Sequence, residues 1–146
     1  MRMFLVLFCL LFSVETNSAT DSTAFYNRHE IDGYELKLFR LHKDEVKSAE
    51  AKWGVFSHKD LTPDEIQNLI EILSKVSNKD IKSHLGQPAP KGGSPRMIIL
   101  LKSGELESLN LDGDYILYGD IMAYQPEFRQ FMHQLRKRVC KEEVQG

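Results

Sequence analysis

Between Arg96 and Tyr124 the chain is interrupted at short intervals by Ser103-Gly104, Asp112-Gly113-Asp114 and Gly119-Asp120. Such pairs suit tight turns whose backbone twist matches that of two paired strands. The stretches between them, 96–102, 105–111, 115–118 and 121–124, are short and rich in aliphatic and aromatic residues. An antiparallel meander follows. Met97 to Leu101 is apolar at every position, so that strand belongs at the sheet centre or under cover on both faces.

Two segments have helical periodicity. Thr62-Pro63-Asp64-Glu65 puts a hydroxyl at the N-cap, proline in the first helical position and a glutamate placed to reach back to the cap amide. Ile66, Leu69, Ile70, Leu73 and Val76 then form one apolar stripe, predicting a helix over 62–77. Pro126 opens a second helix, to residue 139, whose stripe is Phe128, Phe131, Met132, Leu135 and Val139. Arg129, His133, Arg136 and Lys137 fall largely outside that stripe. Asp80 suits the cap of a further short turn, with Ile81 and Leu85 four apart.

Earlier in the chain, Tyr34, Leu36 and Leu38 alternate with Glu35 and Lys37, the period of a half-buried strand over 34–41. The charged stretch 42–52 fits either period. It reads as a loop or helical turn, followed by a short strand at Trp53-Gly54-Val55-Phe56. The predicted fold class is α+β, one domain over 20–146: an antiparallel sheet, made of the meander 96–124 plus the N-terminal strand 34–41, packed against two amphipathic helices.

Residues 1–19 have a different character. Arg2 is followed by the uncharged run Phe4–Val14 and then by small polar residues ending at Ser18-Ala19. This is the layout of a secretory signal peptide, and the run is too short for a comfortable transmembrane helix. Cleavage after Ser18 or Ala19 is expected, with export to a periplasm or to the outside. It removes Arg2, Glu15 and Cys9, so the net charge stays at −2 and Cys140 is the sole remaining cysteine. No disulfide can then form within the mature chain. A bacterial envelope suits such a disulfide-free exported domain better than an animal extracellular space. The lead-in 20–31 is polar apart from Phe25-Tyr26, an aromatic pair able to dock.

The residues exclude several chemistries. No Gly-x-Ser-x-Gly elbow is present, and Cys140 reads as helix packing despite its basic neighbours Arg138 and Lys141. The five histidines show no metal-binding spacing, so no metal and no cofactor is expected. Asn110, Asp112 and Asp114 match the first oxygens of a calcium loop, but Tyr115 stands where its glycine is required. Lys91-Gly92-Gly93-Ser94 lacks the closing lysine and hydroxyl of a phosphate loop. With near-neutral charge and a pI of about 6.2, a nucleic-acid partner is not expected.

What remains is a binding protein, not an enzyme. Gln87 to Pro95 holds three prolines and two glycines and makes an exposed loop able to enter a partner's cleft. From Glu105 to Asp120 five acids occur without one basic residue, followed by the basic run Arg129 to Lys141. Such segregation serves either neutralisation between helix and sheet or a charged docking face. The candidate partner-binding residues are Pro88, Pro90, Lys91, Gly92, Glu105, Glu107, Asp112 and Asp114. The expectation is an exported immunity or inhibitor protein that occludes a toxin or hydrolase. The alternative is a small envelope enzyme or ligand carrier with a pocket between sheet and helices, lined by Tyr34, Trp53, Tyr115, Tyr118 and Tyr124.

Overall fold

The computed structural model of the chain describes residues 37–84 and 93–145. Among these residues, seven antiparallel strands form one sheet: β1 Val46–Trp53, β2 Ser57–Asp60, β3 Ile81–Ser83, β4 Arg96–Leu101, β5 Leu106–Asp112, β6 Tyr115–Tyr118 and β7 Ile121–Tyr124. Their spatial order is β2-β1-β4-β5-β6-β7-β3. Two helices, α1 Pro63–Ser74 and α2 Pro126–Gln145, pack on one face. The α+β reading and the meander hold.

The meander forms because its turns are chemically specified. Gly113 and Gly119 both have positive φ, a region that costs residues with a Cβ. β4 lies inside the sheet between β1 and β5, with Met97, Ile99 and Leu101 buried and Ile98 and Leu100 half-buried. Helix α1 starts with the expected reciprocal cap. The Glu65 amide donates to Thr62 Oγ1 at 3.3 Å, and the Thr62 amide donates to Glu65 Oε2 at 2.8 Å.

The strand expected over 34–41 is not formed in its described part. Leu38–Arg40 is a 3₁₀ turn, and residues 34–36 lie outside the described residues. Leu38 and Phe39 are consecutive and both are buried. A half-buried strand sends neighbours to opposite faces, whereas a helical turn can bury both. The Arg40 guanidinium donates to the carbonyls of Ser74 and Val76, satisfying main-chain acceptors at the end of α1.

The boundary near Trp53 also differs. The charged stretch opens with the expected helical turn, a 3₁₀ turn at Lys43–Glu45, but the strand starts earlier than expected: β1 buries Val46, Ala49, Ala51 and Trp53, while Gly54 to Phe56 is the turn to β2. Alanine is small enough for the core face to be hidden in a sequence dominated by charge. A register shift between Val46 and Ser48 further masks the alternation. Beyond α1, the short helical segment expected from Asp80 is instead a 3₁₀ turn, Asn78–Asp80, followed by edge strand β3; Leu85 lies outside the described residues.

The 3₁₀ turn before β3 carries its own pH dependence. The Ser77 hydroxyl donates to the Asp80 carboxylate at 2.7 Å and the Ser77 amide at 2.9 Å, which together hold the Asp80 pKa below its ordinary 3.8. The lower value belongs to the folded state. Its stabilising contribution is therefore complete above the unfolded pKa and is lost as pH falls through the folded one. Asp80→Asn is expected to destabilise the protein at about pH 6, with the gap to the wild type closing below about pH 4. Urea melts showing the same gap at about pH 6 and about pH 3 would disprove the contribution of this bond.

The core lies between the sheet and the helices. Ala51, Met97 and Leu109 are cross-strand neighbours on the helix-facing side, and all three are buried. Phe128, Phe131, Met132, Leu135 and Val139 of α2 join Leu69, Ile72 and Leu73 of α1 in the same cluster. Arg138 Nη1 meets Glu65 Oε1 at 2.7 Å, and Lys75 pairs with Glu127, so the two helices are also tied by charge.

Candidate functional site

Hairpin geometry separates the acids that the sequence groups together. Glu105 precedes β5 at the β4–β5 turn, where it accepts from the Ser103 hydroxyl and pairs with Lys37 at 3.4 Å. Asp112 and Asp114 stand at the β5–β6 turn. Strand β5, seven residues long, runs from one turn to the other, roughly 20 Å. Glu107 is opposite Ile99, pointing into the core side, where it is 7% exposed and accepts from the Tyr118 hydroxyl at 2.7 Å. The structure therefore brings together Asp112 and Asp114, sends Glu105 to the far end and withdraws Glu107 from the surface. Pro88, Pro90, Lys91 and Gly92 lie outside the described residues, as do residues 1–19.

The end that carries Asp112 and Asp114 also gathers two other segments. Trp53 pairs with Ser57 across the β1–β2 turn, Lys52 with Arg96, and Arg96 with Asn110. These registers put Gly54–Phe56, the residues leading into β4 and the β5–β6 turn at one end of the sheet. The Leu111 amide donates to the Pro95 carbonyl at 2.8 Å, pinning the close of the Pro/Gly segment there. A Cβ placed on Gly93 would stand 3.4 Å from Gly54 Cα, so the two segments touch at the main chain.

Among the described residues, the most exposed large apolar side chains stand at this end. Val55 is 89% and Phe56 93% accessible, side by side on the β1–β2 turn. The sequence reading missed them by counting them as strand. The signal available was Gly54, whose φ of 70° ends the strand at Trp53.

The aromatic pocket expected between sheet and helices is not assembled. Trp53 and Tyr118 are buried in the core cluster. Tyr115 and Tyr124 face each other across β6 and β7, ring centroids 5.5 Å apart in edge contact, one register step from the core residues Ile116 and Ala123. They therefore belong to the opposite face, and Tyr34 lies outside the described residues. Two clefts run along the helices. One of about 360 Å³ is lined by Asp114, Arg129, Gln130, His133, Gln134 and Lys137; another, about 330 Å³, lies between the start of α1 and the middle of α2.

Charge neutralisation between α2 and the meander is partial. Arg129 Nη1 meets Asp114 Oδ1 at 3.1 Å, and Arg138 is engaged by α1. Among the described residues, no three His, Cys, Asp or Glu side chains form a group able to hold a metal ion. Cys140 is free and exposed, where the sequence suggested helix packing. No described helix is long and apolar enough to cross a membrane. Comparison with protein-family models, curated proteins and solved structures found no match for this chain.

Proposed function

We propose that this is an exported, non-enzymatic binding protein that docks on a protein partner through its loop end and occludes it, in the manner of an immunity or inhibitor protein. The observation that supports this reading most is the adjacent, nearly complete exposure of Val55 and Phe56. A protein gains nothing in its own stability from holding a phenylalanine in water at a turn. Presented to a partner pocket, the same ring makes a buried anchor of the kind that dominates interface energetics. The turn is also preorganised. Both flanking strands are hydrogen-bonded in the sheet, and Gly93 packs against Gly54, so little conformational entropy is left to lose on docking. Export rests on the leader-like run at residues 1–19.

The test is site-specific photocross-linking in the envelope fraction of the source cell. Benzoylphenylalanine at position 56 is expected to give one dominant protein adduct. The same group at Ser103, at the opposite end of the sheet, is expected to give none. Equal labelling from both positions, or no adduct from position 56, would refute docking through this end.

A further inference from the structure

The charges near Phe56 that lack an ion-pair partner are mostly basic. Arg96 opens β4 directly across from Lys52, which is itself across from His58, so the three side chains share the sheet face away from the helices. On the other side, His133 and Arg136 of α2 border the small hollow closed by Trp53 and Pro95. Lys137 follows along the same exposed side of the helix. Among the described residues, Arg96, Arg136 and Lys137 have no carboxylate within ion-pair distance. Asp114 is already taken up by Arg129. Among the described residues, that leaves Asp112 as the exposed acid of this end without an ion pair, in a chain whose overall charge is −2.

Within the sheet this arrangement is unfavourable. Like charges directly opposite on neighbouring strands destabilise the pair, and among the described residues Lys52 is paired with Glu50 at 3.2 Å while Arg96 has no such partner. An external anion would relieve the repulsion. We infer that the partner presents a carboxylate-rich protein surface around an apolar pocket, with Phe56 entering the pocket and Arg96, Arg136 and Lys137 meeting its acidic rim. This rests on the docking reading above and adds the chemistry of the partner. A protein surface fits better than a lipid one, because two apolar side chains fill a pocket but give little area for holding a membrane interface.

The probe is poly-L-glutamate at low ionic strength, with vesicles of phosphatidylcholine and phosphatidylglycerol as the second arm. Wild-type protein is expected to bind the polypeptide and not the vesicles. Arg96→Glu and Arg136→Glu should each weaken that binding about tenfold, and added salt should abolish it. Lys102→Glu, the same charge change at the opposite end, should leave it within about twofold. The inference is overturned if Lys102→Glu weakens binding as much as Arg96→Glu does, if the wild type binds neither probe, or if it prefers the vesicles. Retained poly-L-glutamate binding with no cross-link from position 56 would instead locate the failure in the docking reading.

Discussion

Phe39→Ala is expected to lower the unfolding free energy by about 3–5 kcal/mol, the range for emptying a buried phenylalanine site. Its ring is wholly inaccessible, and it belongs to the core cluster with Leu38 and Leu41. The 3₁₀ turn that carries it packs on α1, so the substitution opens a cavity between the turn and the helix bundle. A domain of this size has about 5–15 kcal/mol in all, so the loss takes a large share of it. Urea unfolding gives the number directly, and the slope should stay unchanged if both states keep their extent. Lys37→Ala, at an exposed neighbour, should stay within about 0.5 kcal/mol. A Phe39→Ala cost below about 1.5 kcal/mol would mean that residues 38–40 are peripheral, as an edge strand would have been.

Phe56→Ser should do the opposite. Stability is expected to remain within about 0.5 kcal/mol of the wild type, because the ring is 93% exposed and leaves no cavity. Affinity for the protein captured at position 56 is expected to fall about thirtyfold or more, the loss of roughly 2 kcal/mol that defines an anchoring residue. Titration calorimetry with the purified partner measures it. Val55→Ser should cost less, since its side chain buries less area. If Phe56→Ser binds as tightly as the wild type, the exposed ring is incidental and the loop end is not the docking surface. A stable variant that has lost binding, set beside a destabilised variant at Phe39, separates the two roles of phenylalanine in this chain.

Much of the architecture was legible because local chemistry specified it. Thr62 and Glu65 cap α1 as their spacing requires, and the glycine turns cut the meander where they stand in the sequence. Reading failed where small residues or adjacent apolar ones hid the period. Ala49 and Ala51 carry the core face of β1 with too little hydrophobicity to stand out among Lys47, Glu50 and Lys52. Leu38 fits the alternation that starts at Tyr34, yet Leu38 and its neighbour Phe39 are both buried.

For the candidate site the legible part was smaller. Asp112 and Asp114 were singled out and do stand at the loop end, but Glu105 and Glu107 were grouped with them only by proximity in the chain. A strand carries neighbouring residues to opposite faces and its two ends far apart, so charge counted along a sequence does not predict charge gathered on a surface.

The sequence by itself therefore determined the turns, the capped helix, the fold class and the strand count within the meander, since each rests on interactions between residues a few positions apart. Tertiary structure alone decided what shares an end of the sheet. Pairing of β1 with β4, from Lys52 opposite Arg96 to Val46 opposite Leu101, brings the β1–β2 turn with Phe56, Arg96 and the β5–β6 turn into one region, through contacts between residues more than forty positions apart. Register between distant strands follows from how the whole apolar face is buried, and no local pattern encodes it.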